Sequence, residues 1–397
     1  MNMQKNIVGI FVCMMVIAVA ILPAAGTINK RENEKSILFI DHTGRQSVLG
    51  SDTMENKPNG MAFSCGIPND PDFTKQWYLH NTGQIFWVNT FLGDKIPIRF
   101  PFRAKPGIDI QAFEAWDIET GSPDVVIAIP DTGVDYTHPD LAANIWNNTD
   151  EIPNNGIDDD QNGYIDDVRG WDFAYNDNDP KDDGVHGTLC AGVVGAVGNN
   201  GIGMAGVAWN CKIMPLKVWD ESGWGSWEDM AKAIIYAADN GADIISISAA
   251  YFEVPNVVLD AVNYAYRKGV FLCAGAGNSG SDLKYYPAAY ENVTAVGMTD
   301  TRDKARSYSN YGEWVDIAAP GNLIYSTSPS QNYYFAGGTS LACPMVAGVA
   351  ALLLSKDPSL TPDEVKAVLC NNVDPYSGHK YIGTGRVNAY KALSALI

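Results

Sequence analysis

An α/β fold, with a mostly parallel sheet covered by helices on both faces, is predicted by three features of this sequence. Continuous apolar runs at Val125–Ile129, Ile213–Val218, Asp243–Ser248, Val270–Cys273 and Val293–Val296 read as strands buried on both faces. Helical patterns closed by glycine lie between them, which is the alternation of a parallel sheet. With 397 residues, 46% of them apolar, the chain can bury one large core.

Taken in order, the chain opens with Lys5 as its sole charge before an uncharged run, Ile7 to Ala25, closed by Ala24-Ala25-Gly26. Residues 1–26 are therefore expected to be a secretory signal, the alternative being a retained anchor of about 19 residues. Residues 27–67 are polar and weakly patterned, as in a short propeptide or a disordered arm. From 68 to 397 nothing marks a linker or a repeat, so one domain is expected. Ile110–Ile118 has helical spacing up to Gly121, and the run Val125–Ile129 stops at Pro130-Asp131-Thr132-Gly133. Ser226 caps a predicted helix with Trp227, Met230, Ala231, Ile234, Ile235 and Ala238 on one face. A helix over 256–267 follows. After Gly337-Gly338 an apolar helix spans 341–355, and Thr361-Pro362-Asp363-Glu364 is a capping box with proline at the first helical position.

The net charge of −19 argues against nucleic acid and anionic membrane surfaces as partners. Of the seven cysteines, Cys13 lies in the signal. Cys65, Cys190, Cys211, Cys273, Cys343 and Cys370 show no C-x-x-C spacing, so zinc is not expected and disulfide pairing stays open. Cys190, Cys273 and Cys343 sit in apolar runs, as buried thiols do.

In such a sheet the active crevice lies at the carboxyl ends of the strands. Asp131 falls there, as does Asn278 in Ala274-Gly275-Ala276-Gly277-Asn278. His186 opens a small-residue helix, His186-Gly187-Thr188. Ser340 stands at the start of the 341–355 helix, near amides without intrahelical partners. An Asp, a His and a Ser, each beside glycine at an element boundary, are what an activated nucleophile needs.

Four motifs carry a resemblance: Asp131-Thr132-Gly133-Val134-Asp135, His186-Gly187-Thr188, Ala276-Gly277-Asn278 and Gly338-Thr339-Ser340-x-Ala342-x-Pro344. In this order they resemble the subtilisin family of serine proteases, with support from His138-Pro139-Asp140-Leu141 and Ser309-Asn310-Tyr311-Gly312. The resemblance implies the subtilisin-like three-layer fold and a secreted endopeptidase acting on proteins or peptides, expected to be a monomer without stable membrane association. It implies Ser340 as nucleophile, His186 as base, Asp131 orienting the imidazole, and Asn278 with the Ser340 amide as oxyanion hole. It also implies a substrate groove along Ser248, Ala249, Ala250, Ala276 and Gly277, with Tyr285 near the primary pocket. Ala250 and Tyr285 depart from the family's smaller residues there, and Leu189, Cys343, Met345 and Pro130 depart around the catalytic motifs. A catalytically inactive binding protein with the same fold is the rival reading.

Between Asp150 and Asp183 twelve acidic residues face only Arg169 and Lys181, which marks an insertion at about 147–183. Asp158, Asp160 and Asn162 followed by Gly163 match the first half of an EF-hand loop, but Arg169 stands at the twelfth position. Asp166 or Asp167, with the Tyr164 carbonyl, would close a Ca2+ shell instead; a solvated acidic loop is the alternative. The family resemblance alone implies a second Ca2+ site from Asp70, Asp140, the Asn200 side chain and the carbonyls of Gly198, Ile202 and Met204.

Overall fold

The buried runs pair edge to edge into one sheet. In the computed structural model, which describes residues 39–40, 46–47, 67–92, 96–253 and 255–397, that sheet has nine strands. Their order is Val373–Asp374, Arg386–Val387, Ile317–Pro320, Thr294–Thr299, Phe271–Gly275, Ile244–Ile247, Val126–Asp131, Lys212–Lys217 and Trp171–Asp172. Every neighbouring pair is parallel except the first, which is antiparallel. Later strands add on one side of Val126–Asp131 from Ile244 onward, whereas Lys212–Lys217 lies on its other side. The strand order therefore switches at the strand that ends in Asp131, where α/β folds open their crevice.

Helices Trp227–Asp239 and Asn256–Arg267 cover one face, sharing a core with Met214, Leu216, Ile245, Ile247 and Leu272. Helices His186–Gly195 and Thr339–Lys356 pack together and complete the three layers. Among the described residues Thr339–Lys356 is the one helix long and apolar enough to cross a bilayer. From Leu341 to Leu354 it is buried, so its apolarity serves the core. The predicted strands, the 256–267 helix, the Ser226 cap (accepting from the Asp229 amide at 3.0 Å) and the Thr361–Glu364 capping box are all present.

Three details differ. The expected helix over 110–118 shrinks to Ala112–Ala115, because the Asp109 carboxylate takes the Gln111 amide at 2.9 Å and Gln111 adopts φ 52°. Ile235 is 38% exposed, and Ala233, Tyr236 and Ala237 take its place on the buried face. The antiparallel hairpins Ile85–Leu92/Ile96–Arg103 and Ile324–Ser328/Asn332–Ala336 were not expected. Ile67–Ile397 belongs to one compact unit and Ala20–Gly66 forms another, of which the described part is the short antiparallel pair Phe39–Ile40/Gln46–Ser47. The expected signal at 1–26 lies outside the described residues, as does most of 27–67.

The second hairpin holds the His186 helix in place. Ser326 Oγ donates to the Leu189 carbonyl at 2.7 Å and Thr327 Oγ1 to the Thr188 carbonyl at 2.8 Å. Gly192 permits this approach, since a Cβ there would stand 2.2 Å from Thr327 Oγ1 and 2.9 Å from the Thr327 amide nitrogen. Gly192→Ala is expected to destabilise the protein by about 1–3 kcal/mol despite alanine's better helix propensity. Urea denaturation reads this out, and an unchanged midpoint would refute the packing argument.

Candidate active site

The continuous strand Val126–Asp131 delivers Asp131, fully buried, to the carboxyl edge of the sheet. Its carboxylate oxygens lie 2.8 and 2.9 Å from His186 Nδ1. Gly187 makes this closeness possible: a Cβ there would fall 2.0 Å from the Gly133 carbonyl and 3.0 Å from Asp131 Cβ. Burial pushes the His186 imidazole toward a lower pKa. The charge and hydrogen bond of Asp131, with the charge of Asp182 behind, outweigh it and leave the pKa above its ordinary value.

Ser340 lies in the first turn of Thr339–Lys356. Pro344 stands four residues on and has no amide to offer the Ser340 carbonyl. Two side chains bind that carbonyl instead: Ser248 Oγ at 2.8 Å and Cys190 Sγ at 3.4 Å. Ser340 Oγ itself donates to the Ser248 carbonyl at 3.3 Å. Cys190 Sγ, the Asp131 carboxylate and a His186 ring nitrogen all lie within 4.8 Å of one another. The strand end at Ser248, the His186 helix and the Ser340 turn thus meet at one point. The thiols here are buried and free, and burial raises the Cys190 pKa well above its ordinary value, so Cys190 acts as a weak donor and not as a thiolate.

Asn278 follows strand Phe271–Gly275. Its Oδ1 accepts from the Thr339 amide at 2.9 Å and from Thr339 Oγ1 at 3.2 Å, which leaves Nδ2 near Gly338. Asn310 secures the turn: it donates to the Ala276 carbonyl at 2.9 Å and accepts from the Ser279 and Ser281 amides, both at 3.0 Å. Gly277, at φ 102°, has no room for a Cβ beside Asn310 Nδ2. Ala276 and Ala249 are buried, and the Ala250 methyl faces Gly277. Tyr251 exchanges backbone hydrogen bonds with Tyr286, which brings the segment after Ser248 alongside Tyr285. The Tyr285 ring packs edge-on to Phe252 and its hydroxyl donates to Ser279 Oγ at 3.2 Å.

Asp182 is a further participant that the motifs did not single out. Its carboxylate accepts from Thr132 Oγ1 at 2.9 Å, the Gly184 amide at 2.9 Å, the Thr188 amide at 3.0 Å and Thr188 Oγ1 at 2.5 Å. Thr132 Oγ1 in turn accepts from the Gly187 amide at 3.0 Å. Asp182 therefore caps the His186 helix and ties it to the turn after Asp131. Burial pushes its pKa up to about 6 against these hydrogen bonds. Its one sequence signal was a carboxylate four residues before the histidine.

In the acidic insertion, Glu151, Asp160 and Asp167 bring carboxylate oxygens within 4.8 Å of one another. Asn148 donates to Asp160 at 3.0 Å and to Asp167 at 2.9 Å, and Asn162 donates to both. Asp158 accepts from the Asn162 and Gly163 amides, and the Tyr164 amide is bound by Asn162 Oδ1. Both Asp166 oxygens are taken by the amides of Asn155 and Gly156, so Asp167 is the one of that pair facing Asp160. Glu151 was not anticipated. At the second location, Asp70 accepts from the Asn199 and Asn200 amides, and Asp140 from Asn200 Nδ2, the Met204 amide and the Tyr333 hydroxyl. This gathers the 198–204 loop, Gly198 and Ile202 included, around two buried carboxylates.

With this geometry in place, comparison with known proteins is decisive. The subtilase family model matches residues 122–389. The chain belongs to the subtilase family. It is 45% identical to thermitase from Thermoactinomyces vulgaris over 285 residues, 72% of this chain and 93% of that protein. It is 42% identical to the thermophilic serine proteinase of Bacillus sp. strain AK1 over 281 residues, covering 70% of this chain and 64% of that one. A solved structure of a Pseudoalteromonas arctica protease matches with a TM-score of 0.67 and 30% identity, over 83% of this chain and 99% of its own. This subtilase is accordingly a subtilisin-like serine endopeptidase acting on proteins or peptides.

Asp182→Asn removes a negative charge behind His186 and two acceptor positions at its helix. The acid limb of the kcat/KM profile is expected to move to lower pH, because the imidazole loses a neighbour that holds its proton. Stability should fall by about 1–3 kcal/mol. A pH–rate profile superimposable on the wild type would remove the electrostatic role.

Proposed function

We propose that this subtilase is a secreted, calcium-stabilised endopeptidase whose acyl-enzyme forms on Ser340. The observation that carries this reading is the buried Asp131–His186 pair, with Cys190 of the same helix bound to the Ser340 carbonyl. Rotation about χ1 takes Ser340 Oγ from the Ser248 carbonyl toward His186 Nε2. The imidazole accepts the hydroxyl proton as Oγ attacks the peptide carbonyl, and later returns it to the leaving amine. Asp131 fixes Nδ1 as the protonated nitrogen and stabilises the imidazolium. Asn278 Nδ2, freed by the anchoring of Oδ1 on Thr339, joins the Ser340 amide as donor to the oxyanion. Ser248, Ala249, Ala250, Ala276 and Gly277 line the substrate groove, with Tyr285 closing the primary pocket. Secretion rests on the charge, apolar run and small residues of 1–26.

Calcium fits both acidic locations on their donor chemistry. Glu151, Asp160 and Asp167 are hard oxygen donors, and among the described residues no lysine or arginine pairs with them. Asp158, Asn162 and the Tyr164 carbonyl lie in the same loop, and Asp166 braces it. Burial above all, with the charge of Asp70 added to it, raises the pKa of Asp140, and a divalent ion relieves both. Asn200 and the carbonyls of Gly198, Ile202 and Met204 complete that second shell. Bound calcium would supply charge neutralisation that stiffens these loops.

Two measurements test the reading. A serine-directed phosphonate should label the wild type and leave Ser340→Ala unlabelled; label on neither would favour a non-catalytic protein. Excess chelator should lower the melting temperature, less so in Glu151→Gln, and an unchanged melting curve would remove both ion sites.

A further inference from the structure

Two short segments build a basic groove on this otherwise acidic molecule. A depression of about 660 Å³ is lined by Arg103, Lys105, Arg302 and Lys304, with Ala104, Pro106 and Ser377, and among the described residues no acidic one lines it. The segments are joined where the Lys105 amide donates to the Thr301 carbonyl at 2.9 Å. Within Asp300-Thr301-Arg302-Asp303-Lys304 the signs alternate, and the fold separates them. Asp300 turns back to accept the Arg302 and Lys304 amides at 2.9 and 3.1 Å and pairs with Arg306 at 3.7 Å. Asp303 is 6% exposed and pairs with buried Arg386, with the charge of Lys105 nearby. The acids are thus spent inside while the exposed Arg302 and Lys304 point outward. On the facing segment Ala104 is buried, so Arg103 and Lys105 flank it on the exposed side.

The groove shares a sheet edge with the candidate active site. Strand Thr294–Thr299 runs parallel to the strand ending in Asp131, and the Arg302–Lys304 loop leaves its carboxyl end. The Thr299 carbonyl accepts from the Gly321 amide at 3.0 Å, and the Gly321 carbonyl from the Gly338 amide at 2.7 Å, two residues before Ser340.

We infer that this groove is an exosite for an acidic stretch of the polypeptide substrate, outside the bond that is cut. Arg302 and Lys304 stand on either side of the turn at Asp303 (φ 62°) and share one depression with Arg103 and Lys105, a cluster that pairs with several carboxylates of one peptide. On a chain of net charge −19, a concave set of four cations favours where such a peptide lands. The inference rests on the peptidase reading for the identity of the ligand.

The test uses two fluorogenic peptides with one cleavable core, one extended by alternating Glu and Ser, the other by Gly and Ser. At low salt the acidic extension is expected to lower KM about tenfold, since exposed ion pairs each contribute little and four add up. The advantage should shrink at 0.5 M salt. In Arg302→Glu/Lys304→Glu the KM ratio should fall to one or invert, whereas Arg302→Lys/Lys304→Arg should keep it. Fluorescence anisotropy of the labelled acidic extension on the full chain reads binding without turnover, so it stands even if neither peptide is cut and the peptidase reading fails. An equal KM for both peptides, a ratio unmoved by charge reversal, or binding of tripolyphosphate but not of the acidic peptide would each overturn the exosite.

Discussion

A proline inside a helix organises this site. Pro344 withholds the amide that would close the first turn on the Ser340 carbonyl, and the freed oxygen is bound by Ser248 Oγ and Cys190 Sγ. Those two groups arrive from the end of a central strand and from the helix that begins at His186. One unsatisfied backbone acceptor in a buried place, costly if left alone, thus draws together three elements far apart in sequence. Gly187 and Gly192 then let that helix approach the Asp131 turn on one side and the 324–328 strand on the other.

Carboxylates held against their preference are a second theme. Burial pushes Asp109, Asp140, Asp172 and Asp182 each up to about 6. Such a group binds its proton more tightly folded than unfolded, so it subtracts stability as pH rises from the ordinary carboxylate range through about 6. At Asp182 the cost is offset by four hydrogen bonds that also align the His186 helix. At Asp140 the same desolvation acts with Asp70 beside it, and three hydrogen bonds, from Asn200, Met204 and Tyr333, oppose it.

Much of the fold was legible because its signals are local. Val125–Ile129 and the four later apolar runs became parallel strands, since a short unbroken apolar run suits a strand covered on both faces. Ser226 and Thr361 marked helix starts through the amides they bind. The helix expected at 110–118 failed because Asp109 captured the Gln111 amide, a competition that periodicity does not register. Glu151 was invisible for a similar reason, as its convergence with Asp160 and Asp167 depends on how the loop folds back.

By itself the sequence determined the chemistry on offer: an Asp, a His, a Ser and an Asn at element boundaries, an acidic loop, and the glycines that close contact requires. Those properties travel with the residue and its immediate neighbours. Only the tertiary structure decided that Asp182 and Thr132 clamp the His186 helix and that Cys190 reaches the Ser340 carbonyl. It alone turned the acids of a mixed-charge loop inward and left four cations around one groove. Each of these is a contact between distant segments, set by strand order and helix packing and so written in no local stretch of the chain.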